Sequence, residues 1–152
     1  MADKRLSVAI GSDHAGFELK EALKSELKAM GYNIEDLGAF FPDPVDYPDV
    51  AKTVSEAVAI GKYDRGILIC GTGVGVTITA NKIKSIRAFA CSEPYSAKMA
   101  RAHNNANVVG IGARVVGLGT AVEIAQAFLE TQFEAGSRHE KRVDKINELD
   151  KC

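Results

Sequence analysis

The sequence predicts a single α/β domain built on a mostly parallel β-sheet of about five strands. Short apolar runs alternate with amphipathic segments from one end of the chain to the other, which is the pattern of successive βα units. Polar and glycine-rich residues follow these runs, where parallel strands would end. The chain has 152 residues, close to the length of one domain, and no internal repeat or long linker. We therefore expect one domain over residues 1–152.

The N-terminal half alternates strands with helices. Apolar runs predict strands at 6–10, 33–37 and 66–70. Between the first two strands, leucines recur at helical spacing and a glycine follows as a stop signal, which predicts a helix over 17–30. Valines recur in the same way before another glycine, so a second helix is predicted over 49–60.

The C-terminal half continues the same alternation. Two further apolar runs predict strands, at 87–91 and 108–111. The remaining amphipathic segments predict four helices, at 74–82, 94–103, 118–131 and 138–149.

One extended irregular segment interrupts this pattern, at residues 38–48. Pro42, Pro44 and Pro48 exclude a continuous helix or a central strand there. We therefore expect a loop.

Composition excludes several classes of function. The 19 Lys and Arg nearly balance the 20 Asp and Glu, so no global basic field attracts nucleic acid or a membrane surface. The three cysteines are an odd number at wide spacings, which argues against a disulfide framework or a CxxC site and favours a reducing compartment. The apolar run 6–10 is too short for a signal peptide or a membrane span. We therefore expect a cytoplasmic protein.

Cys70 stands at the end of a buried-type strand and precedes Gly71, Gly73 and Gly75. Backbone N–H groups at such a turn and helix start can stabilise an anion, including a thiolate. The alternative is that Cys70 is a small core residue and the glycines only permit a tight turn. The spacing G-x-G-x-G differs from the dinucleotide fingerprint G-x-G-x-x-G, and the sequence has no G-x-x-x-x-G-K-[ST] phosphate loop.

Acidic and imidazole side chains also follow predicted elements. Asp13 and His14 come after the first strand, where they could move a proton or bind phosphate, although a helix-capping Asp is the commoner use of such a pair. His103 ends the fourth predicted helix, where a cationic ring would also complement the helix dipole. The three histidines are far apart along the chain and form no HxxxH pair, which gives metal binding little support.

Cations crowd the start of the last predicted helix. Arg138 and Arg142 are four residues apart and face one side. Cations in a first helical turn oppose the helix dipole by roughly 0.3–1 kcal/mol each, which a bound anion would reverse. Arg114, at another strand end, strengthens the prediction of an anion site, and the alternative is a solvated charged face.

The motifs taken together resemble the type B ribose-5-phosphate isomerase family, which also contains galactose-6-phosphate and allose-6-phosphate isomerases. The resemblance runs from about Val8 to about Val143. It rests on Gly11-Ser12-Asp13-His14-Ala15-Gly16, Asp46-Tyr47-Pro48, Ile69-Cys70-Gly71-Thr72-Gly73-Val74-Gly75, Ala80-Asn81-Lys82, Ile86-Arg87-Ala88, His103-Asn104, Gly112-Ala113-Arg114 and the helix with Arg138 and Arg142.

This resemblance implies a Rossmann-like three-layer α/β/α sandwich that interconverts D-ribose 5-phosphate and D-ribulose 5-phosphate, in the pentose phosphate pathway, through a cis-enediolate. It implies no metal and no cofactor. The partners implied are a small-molecule sugar phosphate and a second copy of the chain, in a homodimer with active sites at the subunit interface or a dimer of such dimers. No nucleic acid or membrane is implied.

The resemblance also implies roles for individual residues. Family members use as the base either a Cys at the position of Cys70 or a Glu just after the glycine turn, and that second position is Val76 here, so Cys70 is expected to be the base. The catalytic set is Cys70, Thr72, His103 and Asp13, with Asp13 and His103 opening the sugar ring. Substrate-binding residues are His14, Tyr47, Gly71, Gly73, Val74, Gly75, Asn104, Arg114, Arg138 and Arg142, of which His14 and the three arginines clamp phosphate.

Two other functions stay open at the level of sequence. One is isomerisation of a six-carbon sugar phosphate, because the family contains such enzymes. The other is a non-catalytic sugar-phosphate-binding module on the same fold, since fold does not dictate function.

Overall fold

The computed structural model describes residues 6–151, and over that range it contains five strands, six α-helices and a final 3-10 turn. In chain order the elements are β1 (Ser7–Ser12), α1 (Phe17–Ala29), β2 (Asn33–Asp36), α2 (Tyr47–Ala59), β3 (Arg65–Cys70), α3 (Val74–Ala80), β4 (Ala88–Ala90), α4 (Pro94–Asn104), β5 (Val108–Gly112), α5 (Leu118–Glu130), α6 (Arg138–Glu148) and the 3-10 turn Leu149–Lys151. None of the helices in that range is both long and apolar enough to cross a membrane.

The five strands form one parallel sheet in the order β2-β1-β3-β5-β4. The chain therefore places β2 on one side of β1 and β3 on the other. In open parallel sheets, ligands bind at such a switch point, outside the carboxyl ends of the two strands. Here those ends are the residues that follow β1 and β3.

Alternate residues of each central strand enter two separate cores, because side chains of a strand point to opposite faces. Ile67 and Ile69 of β3 pack with Leu23 and Phe128 on the face covered by α1, α4 and α5. Leu68 and Cys70 pack on the other face, with the side chains of α2 and α3. The architecture is thus the expected three-layer α/β/α sandwich. Cys70 faces the α2 and α3 side.

The predicted strands and helices are all present, with boundary differences of one or two residues. The largest difference concerns the expected loop 38–48, which is wrong at its end because α2 begins at Tyr47. Pro48 stands in the first turn of that helix, where a missing N–H costs nothing because no intrahelical acceptor exists for it. β1 continues through Gly11 and Ser12, two residues beyond the apolar run that predicted it.

A buried lysine fixes the start of the 38–46 loop. Lys20, on α1, is fully buried, and its Nζ lies 2.7 Å from one Asp36 oxygen and also donates to the Ala39 carbonyl. Lys24 Nζ lies 2.7 Å from the same carboxylate. Burial alone would raise the pKa of Asp36, but hydrogen bonds from Lys20, Lys24 and the Gly38 N–H lower it below its ordinary value. The cluster ties α1 to the end of β2 and to the loop.

We predict that Lys20→Met lowers the free energy of unfolding by roughly 3 kcal/mol. Removing one partner of a buried ion pair typically costs about 3–5 kcal/mol, and Lys24 still contacts Asp36. Urea denaturation measures the change. Lys52→Met is the matched control, because the Lys52–Glu56 pair is exposed and 3.9 Å apart, so it should cost less than about 1 kcal/mol. Equal losses in both variants would contradict the structural role of Lys20.

Candidate active site

Two polar turns meet at the switch point of the sheet. β1 and β3 are neighbours with Ser12 opposite Ile69, so the residues after each strand lie at the same edge. The Asp13 N–H donates to the Ile69 carbonyl at 3.2 Å, which joins the two turns directly. Gly16 permits this approach, since a side chain there would meet the Ile69 carbonyl oxygen at 2.5 Å.

Cys70 is held by the turn that follows it. Its side chain is only 5% exposed, and its Sγ accepts a hydrogen bond from the Gly73 N–H at 3.2 Å. Gly73 has φ of +81°, a conformation that side-chain-bearing residues rarely adopt. Both interpretations of the motif therefore have support: the thiol packs in the core, and it also receives a backbone N–H at the start of α3.

The same turn uses a second N–H group internally. The Val74 N–H donates to Thr72 Oγ1 at 3.2 Å. The sequence predicted that N–H groups of this turn could stabilise an anion, and those of Gly73 and Val74 are already donated within the turn. Thr72 thus orders the start of α3, while its own side chain remains exposed.

Asp13 is 7% exposed, and its carboxylate orders the turn before α1 rather than capping the helix, whose N-cap residue is Gly16. Its Oδ1 accepts a hydrogen bond from the Gly16 N–H at 3.0 Å. This bond shapes the turn between β1 and α1, and the turn lies against β3. A carboxylate is therefore fixed beside the strand that ends in Cys70.

Three further predicted residues contact these turns. The Tyr47 ring packs on Gly75, where a side chain would meet the ring at 2.5 Å. The Arg114 guanidinium lies over Gly71, with Nη1 3.2 Å from the position of an added Cβ. His14 is exposed, and its Nδ1 accepts from the N–H of Val45 in the loop before α2 at 3.3 Å. We call this set of residues the Cys70 group; it consists of Asp13, His14, Tyr47, residues 70–75 and Arg114.

The other predicted residues lie around the ends of α4 and α6. His103, in the last turn of α4, stacks on His139 with ring centroids 3.9 Å apart and planes 13° apart. Its Nε2 is 3.6 Å from Glu134 Oε2. The Asn104 side chain is exposed at the end of the same helix. Arg138 and Arg142 are exposed, one turn apart, on α6. With Glu134 and His139 these residues form what we call the histidine group.

Burial lowers the pKa of His139, and the adjacent His103 and Arg138 lower it further. At neutral pH the ring of His139 is therefore neutral. It is 8% exposed, against 36% for the side chain of His103, so the inner ring supports the outer one.

His103, Glu134 and His139 also have the composition of a metal site, the one such group within residues 6–151. Their ligand atoms all lie within 4.8 Å of one another. The stacking does not suit a shared ion, because the lone pair of a ring nitrogen lies in its ring plane. A zinc ion about 2.0–2.1 Å from each nitrogen cannot lie in two parallel planes that are separated by a ring stack. The geometry favours a ring contact over a metal centre.

The predicted site residues thus fall into two groups. Within residues 6–151, no hydrogen bond, ion pair or ring contact joins the Cys70 group to the histidine group. The expected phosphate clamp is divided as well, with His14 and Arg114 in one group and Arg138 and Arg142 in the other.

Sequence reasoning singled out neither Glu134 nor the contact of His139 with His103. Glu134 lies in an irregular segment between two helices, where no periodicity singles it out. His139 is 36 residues from His103 along the chain, so the sequence does not indicate that the two rings meet. Its single local signal is Ser137, two residues earlier, a residue type that commonly caps helices.

Comparisons with known proteins agree with this arrangement of the fold. Residues 8–146 match the family model described as Ribose/Galactose Isomerase. A protein from Escherichia coli K12 named ribose-5-phosphate isomerase B is 48% identical over 143 residues, which cover 94% of this chain and 95% of that protein. The solved structure of ribose-5-phosphate isomerase B from Clostridium thermocellum has a TM-score of 0.93 at 47% identity, covering 96% of this chain and 98% of that one.

A relative with a different name is similar to nearly the same degree. A protein from Pectobacterium atrosepticum named D-erythrulose-4-phosphate isomerase is 46% identical over 145 residues, covering 93% of this chain and 93% of that protein. The names of these relatives therefore include both a five-carbon and a four-carbon sugar phosphate.

Proposed function

The chain belongs to the ribose/galactose isomerase family, and from that premise we propose that it interconverts D-ribose 5-phosphate and D-ribulose 5-phosphate. The relatives named for this reaction support the substrate. The observation that carries the chemistry is the hydrogen bond from the Gly73 N–H to Cys70 Sγ, at the switch point of the sheet. The same proposal assigns the protein to the pentose phosphate pathway in the cytoplasm.

The proposed base is the Cys70 thiolate. It removes the proton from C2 of the open-chain aldose, the C1 carbonyl becomes an enediolate oxygen, and a C1–C2 double bond forms. The O2 proton then passes to O1, the C2 carbonyl forms, and the proton on sulfur returns to C1. Val76, where some family members carry a Glu, is fully buried and cannot move a proton, which supports Cys70 in this role.

Charge on the enediolate is the main electrostatic demand of this step. Removal of one preorganised oxyanion donor costs about 2.7–4 kcal/mol in other enzymes. The proposed donors are the N–H groups of the 71–75 turn that are not donated within the turn itself, together with the side chain of Asn104. Thr72 keeps the turn ordered through its bond from the Val74 N–H.

Asp13 and His103 are the proposed pair for ring opening, and four residues are the proposed phosphate clamp. The clamp consists of His14, Arg114, Arg138 and Arg142. Tyr47, whose ring lies on Gly75, forms a wall of the substrate pocket.

We further propose that one active site is built from two subunits of a homodimer. The support is the division of the site residues, because within the described part of one chain the Cys70 group and the histidine group share no hydrogen bond, ion pair or ring contact. A second copy of the chain would bring its histidine group to the Cys70 group of the first copy. A dimer of such dimers satisfies the same requirement.

D-Erythrulose 4-phosphate is a second candidate substrate, favoured by the relative that carries this name. The same transfer between C1 and C2 would apply to it. Six-carbon sugar phosphates are further candidate substrates, because the family also contains isomerases of galactose 6-phosphate and allose 6-phosphate. An assay of all of these against ribose 5-phosphate distinguishes them, and turnover of none would favour the non-catalytic binding module.

We predict that Cys70→Ala and Cys70→Ser abolish isomerisation but leave folding and substrate binding intact, because each removes only the proton acceptor. Iodoacetamide should inactivate the protein, and ribose 5-phosphate should protect it. Cys91→Ala is the matched control, since burial raises the pKa of the Cys91 thiol and the residue lies outside the turn. Cys152, outside the described residues, is the second control. Substantial turnover by Cys70→Ala would refute the assignment.

We predict that Arg142→Ala weakens phosphate binding by roughly 1.5–3 kcal/mol, the range for hydrogen bonds to charged groups. KM should rise, inhibition by inorganic phosphate should weaken, and kcat can fall because remote binding energy is used in the transition state. Lys141→Ala, an exposed cation on the same helix, is the control. Unchanged kinetics in both Arg138→Ala and Arg142→Ala would leave a solvated helix face.

We predict that inactive Cys70→Ala and His103→Ala protomers regain activity when mixed under conditions that permit subunit exchange. A mixed dimer would contain one site with both residues intact and one that lacks both. At equal mixing and random pairing, half the dimers are mixed, so about a quarter of the original activity should return. No recovery after verified exchange would show that the two residues do not meet across subunits.

A further inference from the structure

Glu134 and His139 both contact His103, yet neither has a part in the proposed reaction. The His139 ring stacks on His103 at 3.9 Å, and a Glu134 oxygen lies 3.6 Å from His103 Nε2. We propose that Glu134 and His139 are positioning residues for His103, required for sugar phosphates that must first be ring-opened and dispensable for those that are already open-chain. The inference rests on the proposed function, because it acts through the ring-opening role of His103.

Backbone contacts fix both residues beside His103. The Glu134 N–H donates to the Ala102 carbonyl at 3.0 Å, so the segment after α5 is attached to the end of α4. Ser137 caps α6, because its hydroxyl oxygen accepts from the His139 N–H at 3.2 Å, and the same hydroxyl donates to the Glu134 carbonyl at 2.5 Å. One serine therefore connects the two residues and sets their positions together.

These contacts determine two properties of the His103 ring. The side chain is 36% exposed, and the outer torsion of a histidine has broad preferences, so an unsupported ring would turn. The stack on the buried His139 ring fixes its plane. The Glu134 carboxylate faces Nε2 and favours the tautomer with its proton there, which leaves Nδ1 to exchange a proton with the sugar.

A neutral His139 suits this stack. Burial, the His103 ring and Arg138 lower its pKa, whereas Glu134 opposes them and Arg142 adds a smaller lowering. The inner ring therefore stays uncharged at neutral pH. It can therefore support the His103 ring without placing a second charge beside it.

The need for ring opening depends on where the phosphate is attached. In the furanose form of ribose 5-phosphate, O4 is bonded to C1. Opening breaks the C1–O4 bond, O1–H gives its proton to a base, and O4 receives a proton. In a tetrulose 4-phosphate O4 carries the phosphate, so no five-membered ring forms and isomerisation starts from the open chain. His103 and its supports have no ring-opening task with that substrate.

The test compares kcat/KM for ribose 5-phosphate and D-erythrulose 4-phosphate across variants. His139→Ala and Glu134→Gln should each lose about tenfold or more on ribose 5-phosphate, since a positioned acid–base group contributes about 10²–10⁴-fold. Each should lose less than about twofold on the tetrulose. His139→Phe, which keeps a flat ring, should recover most of the loss. Glu123→Gln, at an exposed site on α5, is the matched control.

Two reference variants separate this inference from the proposed function. Cys70→Ala should abolish both activities, and His103→Ala should abolish only the ribose 5-phosphate activity. Retention of ribose 5-phosphate turnover by His103→Ala would contradict its proposed ring-opening role. If His103→Ala behaves as expected but His139→Ala and Glu134→Gln lose both activities equally, or lose neither, the positioning role is wrong.

A measurement on the protein without substrate decides the case in which the tetrulose is not turned over. Nitrogen-15 NMR of the imidazole groups reports the tautomer of His103. We expect the proton on Nε2 in the unaltered protein and a shift toward the other tautomer in Glu134→Gln. An unchanged His103 signal in Glu134→Gln and His139→Ala would overturn the inference.

Discussion

The turn from β3 into α3 depends on a close approach to the backbone of β5. An added Cβ on Gly73 would meet the backbone of Ile111 at 3.0 Å, and one on Gly112 would meet the carbonyl of Thr72 at 2.7 Å. The turn can lie flat on β5 only because side chains are missing on both sides of the contact. That approach fixes the Gly73 N–H against Cys70 Sγ and sets where α3 begins.

Other parts of the site are positioned against this turn. Tyr47 packs on Gly75 and so brings the start of α2 over α3, while Arg114 crosses Gly71 from the end of β5. On the opposite side, the Asp13 turn bonds to the carbonyl of Ile69. The 38–46 loop approaches the same region because the buried Lys20 and its acceptors hold its first residues. Core packing and hydrogen bonding thus determine the distances between groups that come from four different segments.

The sequence was sufficient for the strands and helices because each buries one recognisable stripe or run. It failed where local pattern and structure separate: Gly11 and Ser12 continue β1 without being apolar, and Pro48 fits inside α2 rather than before it. The strand order was not predictable, since β5 inserts between β3 and β4 through contacts distant in sequence. The glycine turn was visible locally. The contact of His103 with His139 was not, because it joins two helices through tertiary packing.

The separation of the two groups has a chemical consequence for the choice of sugar. Proton transfer between C1 and C2 is common to aldose and ketose phosphates of any length, and its proposed base, Cys70, belongs to the Cys70 group. Ring opening is needed only when a free hydroxyl can close on the carbonyl, and the proposed mechanism assigns it to His103 of the histidine group together with Asp13. Because His103 and the Cys70 turn lie on different elements, changes around His103 would, under this proposal, alter ring opening without disturbing the turn at Cys70. Relatives of 48% and 46% identity bear the names of a five-carbon and a four-carbon sugar phosphate isomerase, as such a division would permit.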